Sequence, residues 1–249
     1  FVYLFVTRLR DRKCIVSVPI KLSQTHEDSV AIQKYDVSFE TLPADVIDAW
    51  RAIPPAIVSD VMNRTQVMAG RINPVWQGMK LCGQARTVTC MSGDNAAPHT
   101  LIGMCKPGEV MIIDARGSEN VAIWGGIMTE AAIYRGVAGI VVDGAIRDVA
   151  EIRELGFAAY SSAIVPAGPH KGFGGVIDGT VSCGDCPVSP GDIIVGDDDG
   201  VAVVPLAQHE RLLKASLEKI AQEEDTIAGI RNGDNTVDRL GLPAAEIIT

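Results

Sequence analysis

Two patterns of apolar and polar residues alternate along the middle of the chain: short apolar runs typical of strands, and longer segments with helical spacing. Together they predict the order β-α-β-α-β, with strands over residues 85–90, 109–114 and 140–143 and helices over 95–104 and 127–135. Two shorter helices are predicted upstream, over residues 42–50 and, after the break at Pro54-Pro55, a capped helix from Ser59 to Met62.

The C-terminal half changes to shorter strands and ends in one long helix from Leu206 to about Asn232. The turn Asp197–Gly200 is predicted to close a hairpin rather than bind calcium, because it lacks ligands on alternate residues. The predicted strands are residues 158–160, 164–166, 180–183, 192–195 and 201–205, the last three as paired strands.

This order predicts a single α/β domain on a mixed or double sheet, spanning residues 37–240. It lies between an N-terminal extension (1–36), in which residues 14–18 have strand character, and a C-terminal tail (241–249).

The composition is that of a globular domain, with 249 residues of which 47% are hydrophobic and 21% charged. A net charge of −9 without a basic stripe excludes nucleic acid as a direct partner. The apolar segment Phe1–Val6 is too short to span a bilayer, and its basic residues follow it instead of preceding it. Neither a membrane partner nor a secretory signal is predicted.

The chain has six cysteines, four of them with apolar or small neighbours, as is typical of buried thiols. A domain of this size needs no disulfides, so a reducing cytoplasm is the expected compartment. Cys183 and Cys186 form a lone C-x-x-C without a second pair at zinc spacing, and prolines follow it. A turn with two incidental thiols is predicted there.

The candidate chemistry follows the apolar run at 139–142, where Arg147 and Asp148 come after the end of a predicted strand. Arg147 could grip a carboxylate bidentately, or form an ion pair with a neighbouring aspartate. The Gly125-Gly126 pair precedes a predicted helix, where exposed N–H groups could bind an anion, although a plain turn has the same pattern.

Asp148 and Glu151 allow two interpretations. Asp-x-x-Glu at a helix start is the capping-box pattern, and spacing alone favours capping. The alternative is a divalent cation, because Mg²⁺ prefers one or two carboxylates and keeps several waters. Asp148 would then bind the metal directly and Glu151 through water.

Gly126, the Arg147-Asp148 pair after twenty intervening residues, and Glu151 resemble the G-x20-R-D-x2-E/D signature of the family of 4-hydroxy-4-methyl-2-oxoglutarate aldolases and RraA-like proteins. The resemblance covers roughly residues 40 to 235. Further matching segments, in the same order, are residues 93–95, 106–110, 136–144 and 190–201.

The resemblance implies a three-layer β/β/α, swivelling-type fold with mixed parallel and antiparallel strands, assembled as trimers or pairs of trimers with the site at a subunit interface. It also implies a metal-dependent aldolase or decarboxylase of small 2-oxo acids that uses Mg²⁺ or Mn²⁺. Asp148 would ligate the metal, and Arg147 would bind substrate and stabilise a pyruvate enolate. Amides near Gly125-Gly126, Ile127 and Met128 would hold the pyruvate carboxylate.

Two further positions follow from the same resemblance. The best-known aldolases have Asp where this chain has Gly126, and with Glu151 the chain is similar to relatives that are mainly decarboxylases. A Glu of the C-terminal helix reaches a neighbouring subunit's metal site in the family, and Glu223 is the best match, with Glu224 as the alternative.

The functional hypothesis is therefore a divalent-metal-dependent lyase that releases pyruvate from oxaloacetate or a 4-hydroxy-2-oxo acid. The rival hypothesis is a non-enzymatic regulator that binds a ribonuclease, as some RraA-like proteins do. Outside this set, His99 is expected to pack or cap, and residues 171–175 to form a mobile loop that is not a phosphate-binding loop.

Overall fold

The computed structural model describes residues 32–248. The candidate strand at 14–18 and the apolar start at 1–6 lie outside this part of the chain. Residues 32–34 lie within the predicted N-terminal extension, but they form the first strand of the sheet and pair with residues 175–177.

The strands within residues 32–248 are between 2 and 15 residues long. They are β1 (Ile32–Lys34), β2 (Asn73–Pro74), β3 (Leu81–Cys90), β4 (Val110–Trp124), β5 (Gly139–Ile146), β6 (Ala158–Ile164), β7 (Gly175–Ile177), β8 (Val181–Cys183), β9 (Cys186–Val188), β10 (Ile193–Asp197) and β11 (Gly200–Val204). The helices are α1 (Ala44–Arg51), α2 (Pro55–Val61), α3 (Ala96–Met104), α4 (Gly126–Tyr134), α5 (Val149–Glu154), α6 (His209–Arg231) and α7 (Thr236–Arg239), with a 3-10 turn at Leu206–Gln208.

Four parallel strands, in the order β3-β4-β5-β6, form the centre of the main sheet. Strand β7 extends it antiparallel to β3, followed by β1, and β2 closes the other edge beside β6. The first half of β3 pairs instead with β10, which forms a hairpin with β11. Because parallel strands end at the same edge, the residues that follow β3, β4 and β5 meet there.

Alternate side chains of the main sheet face two different cores. Met111 and Ile113 of β4 pack with α3, α4 and α5, whereas Val110 and Ile112 pack with β8–β11. Helices α1, α2 and α6 cover the outer face of the β10–β11 hairpin. The expected fold class, a mixed α/β domain with helix, sheet and sheet layers, is confirmed, and these three helices add a further outer layer.

Several local predictions are wrong for identifiable reasons. Helix α2 begins at Pro55 rather than Ser59, because proline is favoured at the first helical position. The predicted strands at 158–160 and 164–166 are the single strand β6. Residues 181–183 pair with β9 and not with the last two strands, so the pairing expected there is also wrong.

The predicted turn at the C-x-x-C is confirmed. Its two central residues, Gly184 and Asp185, both have positive φ, as a type I′ hairpin turn requires. Cys183 and Cys186 lie opposite each other, buried and unpaired. None of the helices in the described part of the chain is long and apolar enough to cross a membrane.

Candidate active site

The segments that follow β3, β4 and β5 enclose a cavity of about 100 Å³ at one edge of the sheet. Six of the predicted site residues line it, namely Gly125, Gly126, Ile127, Met128, Arg147 and Asp148. The cavity is also lined by residues that the sequence did not single out for a site: Asn95, His99, Ala122, Ile123, Trp124, Pro169 and Lys171.

Asp148 turns back from its own helix toward the start of α4. Its backbone is left-handed (φ 58°), which aspartate tolerates better than most residues. Its Oδ2 accepts a hydrogen bond from the Gly126 N–H at 3.0 Å. The side chain makes no capping bond to α5, so the capping-box interpretation is wrong.

Glu151 occupies the space in front of Gly126. A Cβ placed on Gly126 would overlap the Glu151 carboxylate, and it would lie 2.8 Å from Oε1. Any side chain at position 126 would therefore displace this carboxylate. The glycine at 126 and the glutamate at 151 depend on each other sterically.

The side chains of Arg147 and Asp148 likewise occupy the space that a side chain on Gly125 would need. A Cβ there would lie 2.6 Å from Asp148 Oδ2 and 3.1 Å from Arg147 Cγ. The backbone of Arg147 is anchored by its N–H, which donates to the Trp124 carbonyl at 3.0 Å. Arg147 Nε lies 3.4 Å from Asp148 Oδ2, and both side chains are about 40% exposed. One cation and two carboxylates therefore surround the beginning of α4.

The first turn of α4 contributes backbone N–H groups to this site. Ile127 and Met128 belong to that turn and line the cavity. The first N–H groups of a helix have no partner within the helix and carry partial positive charge. Together with Arg147, this turn can hold a small carboxylate.

His99 and Lys171 add two polar groups that the sequence analysis had set aside. Burial lowers the pKa of His99, and the positive charge of Lys171 lowers it further. The buried amide oxygen of Asn95 has no hydrogen-bond partner within residues 32–248. One signal in the sequence could have identified Asn95 as a site residue. Segment 93–95 follows β3, and polar residues that follow parallel strands collect at the same edge of the sheet.

Glu223 lies elsewhere in the same chain. It is on α6, where Lys219 Nζ approaches its carboxylate to 3.3 Å, and it does not line the cavity. Helix α6 packs against α2 on the outer face of the molecule. A single chain therefore does not bring Glu223 or its neighbour Glu224 into the cavity.

The carboxylates of the site fit a hard divalent cation that takes only one or two ligands from the protein. The described residues contain no cluster of three or more His, Cys, Asp or Glu side chains that could hold a metal by themselves. Mg²⁺, however, commonly uses one or two carboxylates and keeps several waters. Asp148 and Glu151, both next to Gly126, provide that number of carboxylates.

Fold and site together define an α/β protein of the RraA-like type, and the chain belongs to this family. The family model, described as Aldolase/RraA, matches residues 44–203. A relative from Halalkalibacterium halodurans, named "Putative 4-hydroxy-4-methyl-2-oxoglutarate aldolase", is 38% identical over 180 residues, which are 72% of this chain and 86% of the relative.

Solved structures have the same fold. An uncharacterized protein from Pseudomonas syringae pv. tomato superimposes with a TM-score of 0.70 over 79% of this chain and 97% of its own, at 21% identity. RraAS2 from Streptomyces coelicolor, described as an unusual member of the RNase ES inhibitor RraA protein family, has a TM-score of 0.67 and 25% identity. That match covers 75% of this chain and 98% of RraAS2.

Proposed function

We propose that this protein is a divalent-metal-dependent carbon–carbon lyase that releases pyruvate from a small 2-oxo acid. The observation that carries the proposal is the convergence of Arg147, Asp148 and Glu151 on the glycine pair that begins α4. The similarity to a protein named as an aldolase supports the same reaction class.

Arg147 and the first turn of α4 form the anion-binding half of the site. We infer that the guanidinium binds the carboxylate and carbonyl oxygen of the 2-oxo acid, since arginine stays charged and offers paired donors. The N–H groups of Ile127 and Met128 complete the carboxylate site. Fixed donors of this kind stabilise the negative charge that develops as the carbon–carbon bond breaks.

Asp148 would hold Mg²⁺ or Mn²⁺, with Glu151 beside it. Such an ion, when bound, supplies Lewis-acid stabilisation of the developing enolate charge. Asp148 is oriented for this role by its bond to the Gly126 N–H, and Arg147 limits the repulsion between the two carboxylates.

Oxaloacetate decarboxylation is the less demanding of the two reactions. Loss of CO₂ from oxaloacetate and retro-aldol cleavage of a 4-hydroxy-2-oxo acid both leave pyruvate enolate. The aldol reaction also requires a base for the 4-hydroxyl group. Glu151 occupies the space of the side chain that the best-known aldolases have at position 126, which favours decarboxylation as the main activity.

The proposal includes a homotrimer or a pair of trimers in a reducing cytoplasm. A Glu223 from a neighbouring copy would reach the cavity, as the resemblance to the family implies, while in its own chain Glu223 pairs with Lys219 away from the cavity. The five cysteines in the described part of the chain are buried and unpaired, which fits a reducing compartment.

The direct test is pyruvate release from oxaloacetate and from a 4-hydroxy-2-oxo acid, with and without Mg²⁺. We expect Asp148→Ala to lower the metal-dependent rate by about 100-fold or more while the fold is retained. Asp199→Ala, which changes an exposed aspartate in the β10–β11 turn, is the matched control. Absence of Mg²⁺-stimulated pyruvate release by the wild type from both acids would refute the proposal.

A second candidate is a regulator that binds a ribonuclease, which the similarity to RraAS2 favours. It predicts ribonuclease binding that Asp148→Ala leaves unchanged, because surface contact needs no metal ligand. Capture of a purified RNase E-type enzyme, together with no Mg²⁺ binding in calorimetry, would favour this candidate over the lyase.

A further inference from the structure

Asp94 is a fully buried carboxylate beside the cavity whose contacts are all with backbone. Its Oδ1 accepts the N–H of Ala96 at 2.9 Å, at the start of α3. Its Oδ2 accepts the N–H groups of Gly172 at 2.6 Å and Phe173 at 3.1 Å. One side chain therefore ties the segment after β3 to a loop about 80 positions farther along.

That loop, residues 167–173, is held at three further points. The His170 N–H donates to the Gly93 carbonyl at 2.7 Å, and the His170 carbonyl accepts from the Asn95 N–H at 3.1 Å. The Ala167 carbonyl accepts from the Ala122 N–H at 2.8 Å. The loop is thus hydrogen-bonded to the segments at the ends of β3 and β4; it overlaps residues 171–175, for which the sequence predicts a mobile loop.

The fixed loop lies against the arginine of the site. A Cβ on Gly168 would come within 2.6 Å of Arg147 Nη1, so a side chain there would displace the guanidinium from its present position. Pro169 and Lys171 of the same loop line the cavity. Arg147 is about 40% exposed, and this loop restricts where its guanidinium can lie.

We propose that Asp94 and Gly168 are positioning residues for Arg147: the Asp94 carboxylate fixes loop 167–173, and Gly168 lets the loop confine the guanidinium at the cavity. Neither residue contacts the substrate in this scheme. Its consequence for turnover rests on the proposed lyase function. Two structural links can be measured without any reaction: the first joins Asp94 to the loop, and the second joins the loop to the Arg147 guanidinium.

The first link is tested by Asp94→Asn, which keeps the shape of the side chain but removes its charge. We expect amide hydrogen exchange at Gly172 and Phe173 to accelerate by about tenfold or more, because hydrogen bonds to a carboxylate are the strong ones. Asp192→Asn is the matched control, since Asp192 also accepts two backbone N–H groups, but from Ser189 and Leu206 and not from the loop. Unchanged exchange at Gly172 and Phe173 would overturn the link.

The second link is tested at the guanidinium itself. The Nε–H resonance of Arg147, identified by its loss in Arg147→Lys, should shift or broaden in Asp94→Asn and in Gly168→Ala. Gly172→Ala is the control within the same loop, because a Cβ there meets nothing within 4 Å. An unchanged Arg147 signal in both test variants would overturn the positioning role. Gly168→Ala keeps the test decisive should Asp94→Asn fail to fold.

Kinetics with Mg²⁺ and oxaloacetate then separate positioning from a purely structural effect. We expect KM to rise by about tenfold in Asp94→Asn and Gly168→Ala with kcat lowered as well, because Arg147 both binds the substrate and stabilises the developing charge, whereas partial unfolding alone would lower kcat at an unchanged KM. Unchanged KM in both variants would overturn the consequence for binding. If the wild type releases no pyruvate, the lyase proposal fails, while the exchange and guanidinium measurements still decide the two links.

Discussion

At the scale of single residues, the site depends on the space that two glycines leave open for neighbouring side chains. Gly125 and Gly126 have no side chains, and the carboxylates of Asp148 and Glu151 occupy the space in front of them. A glycine pair before a helix has little meaning in the sequence alone. Here it forms part of a site because the fold places Asp148 and Glu151, which follow β5, next to it.

Gly126→Ala should be less stable than Gly103→Ala by up to about 1 kcal/mol, because the new methyl group displaces the Glu151 carboxylate, which is the exposed end of a flexible side chain and can move aside. Urea unfolding measures this cost. Gly103→Ala is the matched control in another helix, where a Cβ meets nothing within 4 Å, and it should be neutral or slightly stabilising.

The double variant Gly126→Ala/Glu151→Ala separates this overlap from other effects of a methyl group. It should recover most of the lost stability, which would show the coupling directly. Equal stability of Gly126→Ala and Gly103→Ala would contradict the predicted overlap.

His99 should make stability depend on pH. Its folded pKa is lowered by burial and by Lys171, so the folded protein leaves it neutral while the unfolded chain, near the ordinary value of 6.5, takes up a proton. Stability from this source is present above about pH 6.5 and is lost as the pH falls toward the folded pKa.

Melting temperatures measured across that range test the prediction. The fall on acidification should be smaller in His99→Asn, which cannot take up the proton. Lys171→Met should lie between the two, because it removes only one of the two causes. A wild-type protein and a His99→Asn variant with parallel pH profiles would rule out this contribution.

At the scale of elements, a buried ion pair ties together segments that meet around β3. Arg86 of β3 donates to both oxygens of Asp178, at 2.8 and 2.9 Å, just after β7. It also lies 3.2 Å from Glu109, before β4. Lys34 of β1 approaches Asp178 to 3.4 Å. The edge strands are thus joined to the central sheet by charge as well as by backbone pairing.

Asp178→Ala should cost about 3–5 kcal/mol, because it leaves the buried Arg86 guanidinium with one carboxylate fewer. Asp48→Ala, which breaks the exposed ion pair with Arg51, should cost at most about 1 kcal/mol. Denaturant titration of both variants makes the comparison. Similar costs for the two would show that the Arg86 pair does not behave as a buried one.

At the scale of the whole molecule, the proposed assembly gives a complementation test. Asp148→Ala and Glu223→Ala should each be inactive alone if the two residues meet across subunits. Mixed trimers formed from equal amounts should regain about a quarter of the wild-type activity, the share of sites with both residues intact. Glu224→Ala should complement only if Glu224 is the residue that crosses.

Two outcomes would count against this arrangement. Light scattering that finds only a monomer would contradict the assembly, and inactive mixed trimers would contradict a shared site. Either result would leave the residues of one chain, Arg147, Asp148 and Glu151 with the first turn of α4, as the whole of the proposed machinery.

Much of the element order could be predicted from the sequence, because the strand and helix periods of the central segments are strong. Helices α3, α4 and α6 lie within a few residues of their predicted bounds. The predictions that failed concern pairing and extent. The pairing of β8 with β9 depends on a two-residue turn, and β4 continues through bulges that no simple alternation shows.

The sequence by itself determined the fold class and the family, together with Arg147, Asp148 and Glu151 as the candidate chemistry, because these rest on local periodicity and fixed spacing. Only the tertiary structure decided what these residues do locally. In the folded chain Asp148 points away from its own helix, Glu151 fills the space before Gly126, and loop 167–173, held by Asp94, lies against Arg147. The physical reason is that these contacts join segments far apart in the chain, at the shared edge of parallel strands.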